Sequence, residues 1–216
     1  MASIEEIASA VEHGKRKEAL PLVQQALDEG VSPQEILSNG LIAAMDVIGE
    51  KFSRNEVFVP EMLMAARTMQ ACTDQLKPLL AEAGGVQALG NGVIGTVQGD
   101  MHDIGKNLVK LLVESKGFEL EDLGVDVAAE AFAEYVKAHP ECKFMFLSSL
   151  LTTTMPAMAA TVKAIEEAGL RDQVKIFVGG APVTREFAEE IGADYYTDDA
   201  GECAATAAAV ATGEAA

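Results

Sequence analysis

Apolar positions recur along this chain with two different periods, and the period changes near residue 85. Up to Ala83 they return every three or four residues, as on one face of a helix. Ser3-Ile4-Glu5-Glu6 has the pattern of a capping box, and Ser32-Pro33-Gln34-Glu35 repeats it with proline at the first helical position. The helix that follows carries Ile36, Leu37, Leu41, Ile42, Met45, Ile48 and Phe52. A further pattern runs from Lys17 to Leu27. Another begins near Pro60 and carries Met62, Leu63, Ala66, Met69 and Leu76. Four helices with short connections predict an antiparallel bundle over residues 1–83.

Residues 84–91 are glycine-rich and uncharged, and read as a linker between domains. From residue 92 the pattern becomes strand–helix alternation. Strands are expected at 93–97, 118–123, 144–148, 175–178 and 194–196. Helices are expected at 104–115, 129–138, 156–168 and 185–191, and a last one after Gly201. Five strands alternating with helices imply a parallel sheet covered on both faces. With right-handed crossovers the leading topology is a doubly wound α/β domain over 92–216. The expected fold class is therefore a four-helix bundle cap followed by a flavodoxin- or Rossmann-like five-stranded domain.

Charge narrows the partners. The 34 acidic residues against 16 basic ones give a net charge of −18, which argues against nucleic acid and anionic membranes. No apolar run approaches the ~20 residues of a membrane span. The amino terminus lacks a basic segment followed by an apolar one, so no signal peptide is expected. Cys72, Cys142 and Cys203 are widely spaced and form no CxxC. They suit reduced thiols in a cytoplasmic protein.

Three clusters fall on predicted strand ends, where open α/β sheets bind ligands. Asp100-Met101-His102-Asp103-Ile104-Gly105 follows the first strand. It places an imidazole on a loop, with a carboxylate two residues before it and a glycine three residues after it. That is a metal ligand with its own hydrogen-bond acceptor attached, beside backbone that something can approach closely. Ser148-Ser149-Leu150-Leu151-Thr152-Thr153-Thr154 follows the third strand, and Gly179-Gly180 the fourth. Taken singly, each is as well explained by a structural histidine, a cap or a turn. The Met62, Met64 and Met69 set reads first as core.

Together these residues resemble the cobalamin-binding module of methyltransferases and mutases, whose DxHxxG, SxL and GG elements occur in this order. Here 42 residues separate Gly105 from Ser148, and 28 separate Leu150 from Gly179. Phe58-Val59-Pro60-Glu61-Met62-Leu63-Met64-Ala65-Ala66 resembles the signature region of the helical cap in the family's methyl-carrying branch. The whole chain is similar to free-standing corrinoid proteins of the methylamine, methanol and glycine betaine type.

The resemblance implies cobalamin or a related corrinoid, bound base-off, with His102 as the axial cobalt ligand and Asp100 holding its second nitrogen. Thr154 stands where the family extends this relay with a hydroxyl, commonly serine. Met101, Asp103, Ile104, Gly105, Ser148, Leu150, Thr152, Gly179 and Gly180 would contact the cofactor or its nucleotide tail. Phe58 and Met62 would cover its methyl-bearing face. The implied function is a methyl carrier, cycling between cob(I)alamin and methylcobalamin. It would work between a substrate-specific methyltransferase and a second methyltransferase, with a reductive activase, and would not be catalytic alone with natural donors. The rival readings are the small subunit of an adenosylcobalamin-dependent mutase, a cobalamin-dependent sensor, and a flavodoxin-like protein without corrinoid.

Overall fold

The computed structural model describes residues 3–54, 56–82 and 88–214. The chain divides into two compact units. One comprises Met1–Gln87 with Ser115–Gly117, the other Ala88–Glu114 with Phe118–Ala216. Gly84 and Gly85, in the expected linker, lie outside the described residues, and the first strand already begins at Asn91.

The first unit is helical. In α1 (Ile4–Glu12) the Ser3 hydroxyl accepts from the Glu6 N–H at 3.1 Å, and the Glu6 carboxylate accepts from the Ser3 N–H at 2.9 Å. This closes the capping box and satisfies donors that no helical carbonyl can reach. α2 spans Arg16–Asp28. Ser32 caps a third helical run, with Pro33 at its start. That run comprises α3 (Pro33–Glu35), a π-helical segment (Ile36–Ile42) and α4 (Ala43–Ser53). The sequence pattern predicts one regular helix here. Instead the Ala43 N–H reaches back five residues to the Ser38 carbonyl, and the wider turn buries Ile36, Leu37, Gly40 and Leu41 together. α5 (Val59–Glu82) completes the unit and buries Met62, Ala65, Ala66, Met69, Cys72 and Leu76. Each fully buried Leu, Ile or Met contributes about 1.5–3 kcal/mol relative to exposure.

The second unit is a five-stranded parallel sheet of order β2-β1-β3-β4-β5. Its elements in chain order are β1 (Asn91–Thr96), α6 (Ile104–Glu114), β2 (Glu119–Asp122), α7 (Ala129–Ala138) and β3 (Cys142–Ser148). They continue with α8 (Met155–Glu167), β4 (Lys175–Gly179), α9 (Arg185–Ile191), β5 (Tyr195–Tyr196) and α10 (Ala200–Thr212). β1 and β3 are buried almost throughout, as expected of strands covered on both faces. Val93, Phe132, Met145, Met158, Val162 and Ile176 are at the centre of the core. The edge strand is shorter than the pattern suggests. The Asp194 N–H donates to the Ile176 carbonyl at 2.9 Å, while its carboxylate accepts from the Ile176 N–H at 2.7 Å and pairs with Arg171 at 2.8 Å, so a side chain makes one of the two bonds there.

Among the described residues no helix is long and apolar enough to cross a membrane. Cys72, Cys142 and Cys203 are buried free thiols. Burial pushes the first two up to about 11 and Cys203 up to about 12, so they stay protonated and poorly nucleophilic at neutral pH.

Candidate functional site

The chain leaves β1 for β2 on one side, and β3 lies on the other, so the order in which strands are added reverses between β1 and β3. The first two clusters follow these two strands, at the crevice where doubly wound sheets take ligands.

Asp100 is the hub of this crevice. It is wholly buried, and one oxygen, Oδ1, accepts from the His102 ring Nδ1 at 2.6 Å and from the His102 N–H at 3.1 Å. Its Oδ2 accepts from the Leu150 N–H at 2.7 Å and from the Thr154 hydroxyl at 3.0 Å. Burial by itself raises the carboxyl pKa, but these four donors outweigh it and hold Asp100 well below the usual carboxylate range. A fixed anion therefore ties the loop after β1 to the loop after β3.

The hydrogen bond to Asp100 places the proton of neutral His102 on Nδ1 and leaves Nε2 with its lone pair. The ring is half-exposed, at 51% of its side chain. The His102 carbonyl accepts from the Thr96 hydroxyl at 2.8 Å, so the backbone is held while the ring projects. Among the described residues no group of three His, Cys, Asp or Glu could enclose a metal ion. A single oriented imidazole instead suits a metal that arrives with its other positions already filled.

Beside His102 lies a cavity of about 400 Å³. Its apolar walls include Ile94, Leu108, Val109, Phe146 and Phe177, and Thr197, Asp198 and Asp199 line its far side. Of the sequence-predicted residues, Met101, His102, Asp103, Ile104, Gly105, Ser148, Leu150, Gly179 and Gly180 line it. Asp100 and Thr154 lie buried behind it. Thr152 is exposed and is not part of the lining. Phe58 and Met62 belong to the helical unit, where Phe58 is exposed and Met62 buried.

The cavity depends on its glycines. A Cβ on Gly105 or Gly179 would meet nothing within 4 Å, so a side chain there would project into open space. Gly180 has φ +131°, and a Cβ there would lie 1.8 Å from the Ser149 carbonyl oxygen. Only glycine fits that position. An apolar slot edged by glycine backbone and hydroxyls fits an extended ligand with amide and phosphate groups.

Several residues that shape the site are not singled out by the sequence reading. Lys106, 3% exposed, donates to both Asp122 oxygens at 2.7 and 2.6 Å and to the Asn107 side chain at 2.8 Å. This pins the start of α6, and with it Gly105, to the end of β2. Asp126, with φ 54°, accepts from the Gly99 N–H at 2.6 Å and donates its own N–H to the Asp100 carbonyl at 2.9 Å. It braces the turn behind Asp100. Ser149, also fully buried, bonds Thr154.

Two family models, each described as a B12 binding domain, match residues 90–209 and 3–77. The chain is 40% identical over 204 residues to dimethylamine corrinoid protein 1 of Methanosarcina acetivorans, covering 94% of this chain and 95% of that one. It superposes with TM-score 0.87 and 27% identity on a chain of the methanol:cobalamin methyltransferase complex of Methanosarcina barkeri, covering 97% of this chain and 80% of that one. A cobalamin-binding protein from Desulfitobacterium hafniense gives TM-score 0.78 and 28% identity, with both chains fully covered. The carboxylate-held histidine, the glycine-edged slot and these matches together make the chain a member of the B12-binding corrinoid protein family.

Proposed function

We propose that this chain is a methyl-carrying corrinoid protein. Cobalamin would be held through Nε2 of His102, in place of the cofactor's own base. The chain works between a substrate-specific methyltransferase and a second methyltransferase, in the cytoplasm, with a reductive activase to restore the cofactor after oxidation. The observation that carries this reading is the buried Asp100 holding His102 beside the cavity edged by Gly105, Ser148, Gly179 and Gly180. When bound, the cofactor would supply a cobalt able to take up and give up a methyl group. The protein's residues set ligation and access. Asp100 fixes the tautomer and orientation of His102, Thr154 buttresses Asp100, and the slot receives the nucleotide tail. The shielding role that the resemblance gives Phe58 and Met62, and the contact it gives Thr152, belong to the same reading. A mutase subunit would have no need of the helical unit at residues 3–77.

The visible spectrum tests the division of labour. Loaded with cob(I)alamin, the chain alone should accept methyl from methyl iodide. It should fail with methanol or methylamines until a partner methyltransferase is added. Rapid methyl uptake from a natural donor, with this chain as the only protein present, contradicts the carrier reading.

The slot has its own test. Valine at Gly105 or Gly179 should weaken cobalamin binding roughly ten- to a hundredfold, matching the ~1–3 kcal/mol of overpacking. Cobinamide, a corrinoid without the nucleotide tail, should bind as it does to the wild type. Equal loss of both ligands would place the tail elsewhere.

A further inference from the structure

The buried path behind His102 does not end at Thr154. The Ser149 hydroxyl lies 2.8 Å from Thr154 Oγ1 and 3.3 Å from the Leu151 carbonyl oxygen. Thr154 Oγ1 in turn has two acceptors at the same 3.0 Å, the Asp100 carboxylate and the Leu151 carbonyl. A hydroxyl carries a single proton, so Thr154 cannot serve both acceptors at once. What surrounds Thr154 decides which one receives it.

Ser149 tilts that choice. Its nearest acceptor is Thr154 Oγ1, and a hydroxyl that receives a hydrogen bond becomes a stronger donor. The charged Asp100 oxygen gains more from such a donor than a neutral carbonyl does. With Ser149 donating to Thr154 and Thr154 donating to Asp100, each hydroxyl proton has one partner. The unused Leu151 carbonyl keeps the Thr154 N–H at 3.1 Å. Ser149 is itself held on several sides. It has no exposed surface, its N–H donates to the Gly179 carbonyl at 3.1 Å, and its carbonyl lies against Gly180.

We propose that Ser149 is a positioning residue for His102, its hydroxyl directing the Thr154 proton onto Asp100 so that the carboxylate holds the imidazole in one orientation. The inference rests on the reading of His102 as the lower cobalt ligand. It adds a fourth residue to the His102, Asp100 and Thr154 path. It also links all three strand-end clusters through one buried residue, by its hydroxyl to Thr154 and by its backbone to Gly179.

The test is a double-mutant cycle on the cob(II)alamin-loaded protein. Electron paramagnetic resonance reads the ratio of histidine-ligated to unligated cobalt in wild type, Ser149→Ala, Thr154→Val and the double variant. Melting temperature and cobalamin retention are read alongside. Ser149→Ala should lower the ratio roughly three- to tenfold, the size of one buried hydrogen bond. Thr154→Val should lower it at least as far, and adding Ser149→Ala to it should change nothing more. Ser149→Cys fills nearly the same space with a weak donor and should follow Ser149→Ala. The proposal is overturned by an unchanged ratio in Ser149→Ala, by additive effects in the cycle, or by wild-type behaviour of Ser149→Cys. Should the wild type itself lack histidine ligation, the ligand reading fails and this inference falls with it. A normal wild type with any of the three adverse results sinks only the role of Ser149.

Discussion

Alanine at His102 should remove protein ligation of the cofactor while leaving the fold and much of the binding intact. Loaded with methylcobalamin, the variant should give the visible spectrum of a corrinoid without protein nitrogen, where the wild type gives that of the six-coordinate form. The fold should survive because the ring is half-exposed and packs into no core, and such surface changes usually stay within about 0.5 kcal/mol. Cobalamin should still be retained through the slot, which His102 only borders. Asp100 should behave differently. Asp100→Asn disturbs both the tautomer of His102 and the four donors that converge on the carboxylate. A neutral amide leaves donors of the two loops that border the slot without their charged acceptor, and each hydrogen bond to a charged group is worth about 1.5–3 kcal/mol. Equilibrium dialysis separates the cases: His102→Ala loses ligation before affinity, and Asp100→Asn loses affinity, with a lower melting temperature.

The largest stability effect is expected at Asp122. Alanine there leaves the Lys106 ammonium buried with the Asn107 side chain in place of a carboxylate. Removing one partner of a buried ion pair costs about 3–5 kcal/mol. Denaturant unfolding of Asp122→Ala should show that loss. Lys106→Met should lose less, because Asp122 is 27% exposed and regains water. The pH dependence has a definite sign. Burial raises the Asp122 pKa, but the Lys106 hydrogen bond, the Gly124 N–H and the Lys106 and Lys110 charges together lower it below its ordinary value. A depressed carboxylate pKa gives stability that is fully present above the unfolded value, about 3.9. That stability is lost as pH falls through the lower folded value. The wild type should therefore lose the contribution below about pH 4, and Asp122→Ala should lack that step. A step of the same size in both proteins contradicts the assignment.

What the sequence made legible follows from the range of each signal. The strand–helix alternation and the three strand-end clusters are local patterns, and β1, β3, β4 and α9 fall within a residue or two of where the pattern puts them. Asp100 and His102 are two residues apart, so their contact could be anticipated. Lys106 could not be read this way. It sits in a helix as an ordinary charged residue, and its burial depends on Asp122, sixteen residues on. Ser149 was hidden by its neighbour. Ser148 lines the cavity while Ser149 bonds Thr154 on the buried side, as successive residues at a strand end should. That alternation was the available signal. Asp126 in the left-handed region carries no composition cue, since only the turn it braces requires it. The π-helical segment 36–42 was also unreadable, because its apolar residues fit a regular helix equally well.

His102 as the protein ligand of a bound corrinoid has a spectroscopic signature of its own. The most direct test loads the chain with cob(II)alamin after growth on ¹⁵N-histidine in an otherwise ¹⁴N background, and records the electron paramagnetic resonance spectrum. A ¹⁴N ligand splits each high-field cobalt line into a triplet, and a ¹⁵N ligand into a doublet. The triplet of the unlabelled protein should become a doublet on labelling, and His102→Ala should show neither. A triplet that persists in the labelled protein would mean that the cofactor's own base remains on cobalt and that His102 is not its ligand.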